Sequence, residues 1–220
     1  MNKKRKKRFL LFFFFIFIFL VRQPRTLASY PPPMRIISGK FKGRRFTPPA
    51  DRWPTRPTTD YAKEGLFNVL NNWFYFSEQR FLDLFGGTGS HDYEFISRGC
   101  CDVTYVDKHG PAVKFVERTV EQLGVEDCIK IYRMDVFQFM KRPVQEPYTY
   151  IFAGPPYPLP NIPEIPDLVF EAGLLAPGGL FVLETNPHHD FSEDPRCTEK
   201  RNYGKTIFWF FEHPGAGEEE

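Results

Sequence analysis

Apolar residues in this chain fall into short continuous runs separated by stretches with helical spacing. The runs at residues 81–85, 103–106, 129–132, 148–152 and 180–183 each predict a buried strand, being short, rich in β-branched and aromatic residues and bounded by turn formers. Between the hairpin region and the first of them, Ala62, Leu66, Phe67, Val69, Leu70 and Trp73 recur at helical spacing. They predict a helix from Asp60 to about Asn72, capped by Thr58 or Thr59. Further helices are expected at 91–98, 111–123, 136–141 and 165–175. Strands alternating with helices imply a mostly parallel sheet covered on both faces, an α/β architecture. The run 205–211 follows Tyr203-Gly204 with no room for a crossover helix, so it is expected to pair antiparallel as the last strand. At the other end, 35–38 and 44–47 flank a glycine-containing turn and predict a short β-hairpin. Pro48, Pro49, Pro54 and Pro57 then exclude regular structure until the first helix.

A chain of 220 residues with 42% hydrophobic content suits one globular domain with a small appendage and leaves no room for a second enzyme. The compact part is expected at 34–213, after an extension at 1–33 and before a disordered tail at 214–220. Within the extension, Lys3 to Arg8 is a basic run, Phe9 to Val21 is apolar throughout, and Thr26-Leu27-Ala28 would serve a signal peptidase. Thirteen apolar residues are short for a bilayer span. Export would also conflict with the cytosolic cofactor that later motifs require. The expectation is therefore translated upstream sequence before a start at Met34, ahead of a genuine signal or anchor, and a cytoplasmic protein with no stable membrane association.

The formal charge of +2 hides an uneven distribution. Residues 1–33 carry eight Lys and Arg and no acid, and the remainder is acidic, with 21 basic against 27 acidic residues. Inside that remainder, 35–56 holds seven basic residues and one acid, Asp51. A basic arm on an acidic body suits a polyanion such as RNA, and Arg35, Lys40, Lys42, Arg44, Arg45 and Arg56 are its candidate contacts. A solvated charged strip would give the same count. Cys100, Cys101, Cys128 and Cys197 show no C-x-x-C spacing, and the five histidines form no ligand pattern with them. No metal and no disulfide are expected, and free thiols fit a reducing compartment.

Candidate chemistry begins at the carboxyl end of the first predicted sheet strand. Asp83-Leu84-Phe85-Gly86-Gly87-Thr88-Gly89 places glycines where the backbone must bend and approach a ligand closely. Asp107, at the end of the second strand, is where an acid accepts bonds from ribose hydroxyls, although a turn acid would occupy the same position. Asp135-Val136, after the third, is placed to meet an adenine amino group or to cap the next helix. A nicotinamide dinucleotide would suit the first two features, but the glycine run is not G-x-G-x-x-G. The strand ending Phe152-Ala153 then enters Gly154-Pro155-Pro156-Tyr157. Successive prolines fix φ and lack N–H groups, which lets rigid carbonyls face a substrate amine, and Tyr157 offers a ring face to a flipped base.

With these motifs in place, the chain from Met34 to about Glu212 resembles the RsmD-type guanine-N2 methyltransferases of bacterial 16S ribosomal RNA. Met34-Arg35-Ile36-Ile37-Ser38-Gly39 with Gly43-Arg44-Arg45 resembles that family's N-terminal hairpin, and Arg56-Pro57-Thr58-Thr59-Asp60 with Glu64 and Leu66-Phe67-Asn68 its next block. Leu82 to Gly89, followed by Glu94 and Ser97-Arg98-Gly99, resembles the cofactor-binding segment, and Pro155-Pro156-Tyr157 the catalytic loop. The resemblance implies a class I, Rossmann-like methyltransferase domain with a seven-stranded sheet, S-adenosyl-L-methionine as cofactor, and 16S rRNA or an assembling 30S subunit as partner. It implies cofactor contacts from Asp83, Phe85, Gly87, Thr88, Gly89, Asp107, Asp135 and Val136, and catalysis by Gly154, Pro155, Pro156 and Tyr157. The chain departs from the family in having Gly154 where an acid belongs, and His91-Asp92-Tyr93 where small or apolar residues are usual. A guanine amine is a poor nucleophile that a side-chain oxygen normally positions, so Gly154 predicts a slowed enzyme. A binding-only relative without turnover and an amino-methyltransferase of DNA are the competing readings.

Overall fold

The computed structural model describes residues 34–48 and 58–213, so Arg56, the extension and the C-terminal tail lie outside the described residues. Strands β1 (Met34–Arg35) and β2 (Arg45–Phe46) form the expected hairpin, smaller than the sequence pattern implied. The main sheet holds β3 (Phe81–Leu84), β4 (Val103–Asp107), β5 (Ile129–Arg133), β6 (Tyr148–Ala153), β7 (Leu175–Thr185), β8 (Cys197–Tyr203) and β9 (Thr206–Glu212). Their spatial order is β5-β4-β3-β6-β7-β9-β8. Neighbours from β5 to β7 are parallel, and β9 runs antiparallel to both β7 and β8. This is the α/β sheet the alternating pattern predicts, with the antiparallel final strand.

The pattern missed β8. Its sequence, Cys-Thr-Glu-Lys-Arg-Asn-Tyr, is almost wholly polar because it lies at the sheet edge with most side chains in solvent, where charge discourages pairing with another chain. The predicted 180–183 run is only the buried half of β7, which starts at Leu175, a residue expected in the preceding helix.

Helices α1 (Asp60–Leu70), α2 (Ser90–Ser97), α3 (Gly110–Leu123), α4 (Val136–Met140) and α5 (Ile165–Glu171) cover the sheet. Thr59 caps α1 by accepting from the Ala62 amide. Ala62, Leu66, Phe67 and Leu70 are buried as the stripe predicts, whereas Trp73, beyond the helix end, is exposed. One face of the sheet packs on α1, α2, α3 and the hairpin around Phe67, Phe81, Phe95 and Tyr150; the other packs on α4 and α5 around Ile151, Phe181 and Trp209.

The hairpin is locked to α2 by polar contacts. Glu94, fully buried, accepts from the Ile37 and Ser38 amides at 2.8 and 3.0 Å and pairs with Arg98 at 2.9 Å. The Ser97 hydroxyl accepts from the Phe41 amide and donates to the Ser38 carbonyl. Gly39, at φ +80°, sits so close to α2 that a Cβ would run into the Ser97 carbonyl, so only glycine fits.

Contrary to the free-thiol expectation, Cys101 and Cys128 form a disulfide; Cys100 and Cys197 remain free. The parallel register explains the pairing. Val103 opposes Ile129, so residues just ahead of each strand meet although 27 positions separate them in sequence. With that bridge formed, the cysteines no longer point to a reducing compartment. Among the described residues no helix is long and apolar enough to cross a membrane, and no cluster of three or more ligand-type side chains could hold a metal.

Glu94→Ala leaves two half-buried amides and Arg98 without their acceptor, so it is expected to lower unfolding free energy by about 2–4 kcal/mol in urea titration, with Glu94→Gln intermediate.

Candidate active site

The parallel pairings among β3, β6 and β7 end level: Leu84 opposes Ala153, and Ala153 opposes Leu183, while β7 runs on to Thr185 against β9. The segments beyond these paired residues therefore gather at one edge, around a cavity of about 170 Å³. The glycine turn supplies Phe85 to Thr88, the loop after β6 supplies residues 154–158, and the end of β7 supplies Glu184. Ligand sites in open α/β sheets lie at this carboxyl edge.

The glycine turn is tightly constrained. Phe85, at φ +65°, is the one non-glycine residue with positive φ among the described residues, a strain typical of functional turns. Gly87 and Gly89 also have positive φ, and a Cβ on Gly86 would run into the Tyr105 ring. Asp107 accepts from the Gly87 amide at 2.9 Å and from the His109 amide at 2.7 Å, so it braces the turn. Asp135 accepts from the Phe137 amide at 3.0 Å and pairs with Lys108 at 3.2 Å, which makes it the cap of α4. Val136 is buried in the core beside it. Thr88 lines the cavity and donates to the Met34 sulfur.

Asp83 lines the cavity, and behind it lies a second acid, Asp92. Asp83 and Asp92 are both buried, and Asp83 Oδ1 and both Asp92 oxygens find no hydrogen-bonding partner in other groups. Burial, then the charge of Asp92, raises the Asp83 carboxyl well above its usual range, and burial raises Asp92 to about 7. Two carboxyls buried this close together resist ionising as a pair. His91 is a core residue: burial pushes its pKa well below the usual value, its ring shares a hydrogen bond with the Tyr150 hydroxyl at 3.1 Å, and it stacks on Phe152 at 4.0 Å. Phe152 lies under Gly154, where a Cβ would stand 3.2 Å from its ring. Gly154 donates its amide to the Leu84 carbonyl at 3.1 Å, continuing the parallel ladder one residue past the strand.

Lys63, Thr58 and Glu184 are among the cavity residues that escaped the sequence reading of site residues. Lys63, on α1, is buried; its ammonium donates to the Arg35 carbonyl at 2.6 Å and to Ser90 Oγ at 3.0 Å, and burial lowers its pKa. Thr58 donates to Glu184 at 2.5 Å, and Tyr157 donates to Glu184 at 3.1 Å. Glu184 is only 5% exposed, and burial raises its pKa against the pull of those two bonds. Its place at the end of a sheet strand was the available signal, but the apolar run that marks the strand stops at Leu183.

Among the described residues, the predicted RNA contacts form no part of this cavity. Lys40, Lys42, Arg44 and Arg45 are exposed on the hairpin, with Lys40 and Arg44 flanking the Phe41 ring, whereas Arg35 is half-buried and paired with Glu64 and Asp60.

This seven-stranded sheet, with its reversed β9 and glycine turn at the carboxyl edge, is the class I methyltransferase fold. The family model "Conserved hypothetical protein 95" matches residues 34–212, and the chain belongs to that RsmD-type methyltransferase family. It is 33% identical to YlbH of Bacillus subtilis over 79% of this chain and 95% of that one. It is 29% identical to ribosomal RNA small subunit methyltransferase D of Haemophilus influenzae, covering 69% and 78%. Among solved structures, the Thermus thermophilus protein TTHA0928 superposes with a TM-score of 0.70 at 28% identity, covering 81% of this chain and 98% of that one. The T. thermophilus 16S rRNA N2 G1207 methyltransferase, in complex with AdoMet and guanosine, shares the fold with a TM-score of 0.57 at 19% identity, covering 71% and 44%.

The acid pair predicts an inverted pH response. A folded-state pKa above the unfolded value contributes stability that is full at low pH and is lost as pH rises through about 7. Thermal unfolding should show the protein losing on the order of a few kcal/mol between about pH 5 and about pH 8, with Asp92→Asn flattening that slope and raising Tm at the upper end.

Proposed function

We propose that the protein transfers a methyl group from S-adenosylmethionine to the exocyclic N2 of a guanine in 16S ribosomal RNA. The observation that carries this reading is the meeting of the glycine turn and the Gly154-Pro155-Pro156-Tyr157 loop at one cavity. The residues suit the cofactor chemically. Asp83, with an unpartnered buried oxygen, would hold an ammonium group, while Lys63, Ser90 and the N-terminus of α2 offer positive and donor groups for a carboxylate. Asp107 and Asp135 each keep acceptor capacity beyond the bonds they already make. S-adenosylmethionine supplies an electrophilic methyl on a positively charged sulfur.

The chain's part is to place the amine. The rigid backbone of Pro155 and Pro156 limits where carbonyls can meet N–H groups, and Tyr157 provides a stacking face held by its hydroxyl. The exposed basic hairpin, fixed to α2, gives a polyanion an electrostatic landing site beside the domain. The relatives' names support RNA as the substrate class, and a cytoplasmic site of action follows from that substrate.

Gly154 favours a second reading, binding without turnover, because no side chain there can orient the amine. The test is methyl transfer from labelled S-adenosylmethionine into unmodified small-subunit RNA and 30S particles. Label on guanine N2 is the expected outcome; cofactor binding with no label would favour the second reading. Gly154→Asp should raise kcat on the order of 10²-fold if the missing acid limits the rate, after a shift of the Phe152 ring by a few tenths of an ångström.

A further inference from the structure

The acid missing at position 154 has a neighbour one strand away. β6 and β7 are parallel with Ala153 opposite Leu183, so Gly154 and Glu184 follow paired residues and stand side by side. Adjacent strands are about 4.8 Å apart, so a carboxylate there reaches the same cavity. The alternation of side chains agrees. Phe152 and Val182 belong to the core on the α1 and α2 side of the sheet, and two residues further along each strand come Gly154 and Glu184. Glu184 lines the cavity, as does the Pro-Pro-Tyr loop.

Its two oxygens do separate work. One accepts from the Tyr157 hydroxyl at 3.1 Å and the other from the Thr58 hydroxyl at 2.5 Å. Tyr157 belongs to the loop after β6, and Thr58 precedes the cap of α1, so a single carboxylate ties two segments that approach the cavity from different parts of the chain. A buried acid costs folding free energy unless its acceptors are used, and both are used on cavity walls rather than within the core.

We propose that Glu184 is the positioning carboxylate of this active site, standing one strand over from where the family places its acid and fixing Tyr157 and Thr58 around the substrate base. The claim rests on the methyltransferase reading above for its catalytic consequence, but not for its structural one. Glu184 needs no proton transfer in this role. It holds the stacking ring in place and puts a negative charge beside the amine as positive charge develops there.

Glu184→Gln keeps the shape but offers one acceptor to two hydroxyl donors. In the full chain, it should lower kcat for rRNA methylation on the order of 10²-fold while Kd for S-adenosylmethionine, by calorimetry, changes less than about twofold. Tyr157→Phe should be impaired as well, and the double variant should be little worse than Glu184→Gln alone, since both changes break one contact. Additive losses, or an unchanged kcat in Glu184→Gln, would overturn the proposal.

Amide hydrogen exchange at Tyr157 and Leu159 judges the positioning without turnover. Faster exchange in Glu184→Gln with core amides unchanged supports it, and unaltered loop exchange refutes it. Should the native protein methylate no RNA while the exchange result holds, the substrate assignment fails and Glu184 keeps its positioning role.

Discussion

The shared register of three parallel strands is the constraint on which the rest of this molecule depends. Because β3, β6 and β7 are paired in register up to Leu84, Ala153 and Leu183, the glycine turn, the Pro-Pro-Tyr loop and the last residues of β7 meet at one height. A shift of one residue along β6 or β7 would turn the residue at 154 or Glu184 to the opposite face. The large aromatic side chains on one face of the sheet, Phe81, Tyr150, Phe152 and Phe208 among them, are buried and resist such a shift.

The site is built from groups that would be unfavourable in an ordinary core. Asp83 and Asp92 are buried together without enough donors, Lys63 is buried beside a cavity, and Phe85 adopts a backbone conformation that side chains rarely take. Each lowers stability, and together they preorganise negative, positive and concave features where a zwitterionic cofactor would sit. Residues 91–93 divide their roles: His91 and Tyr93 are absorbed as packing, whereas Asp92 brings a second carboxyl to Asp83.

The basic hairpin illustrates a different balance. Its exposed charges contribute little to folding, and its attachment to α2 rests on Glu94, Ser97 and the close approach at Gly39. A rigid mount for mobile charged side chains keeps their common position without fixing their individual contacts, which suits recognition of a phosphate backbone.

The strand and helix pattern, the glycine turn and the Pro-Pro-Tyr loop were legible in the amino-acid sequence because each depends on local periodicity or on the backbone restrictions of glycine and proline. The family motifs carried the same information about the fold and the cofactor edge. β8 was not legible, since an exposed edge strand buries too little to leave a hydrophobic signature, and neither was the Cys101–Cys128 pairing, which follows from register between β4 and β5. Nor could spacing place Glu184 beside Gly154, thirty positions apart in sequence. The sequence by itself determined which elements form and where the chain must bend, because those choices are made within a few residues. Only the tertiary structure decided which distant side chains share a wall of the cavity, because that depends on strand order and register.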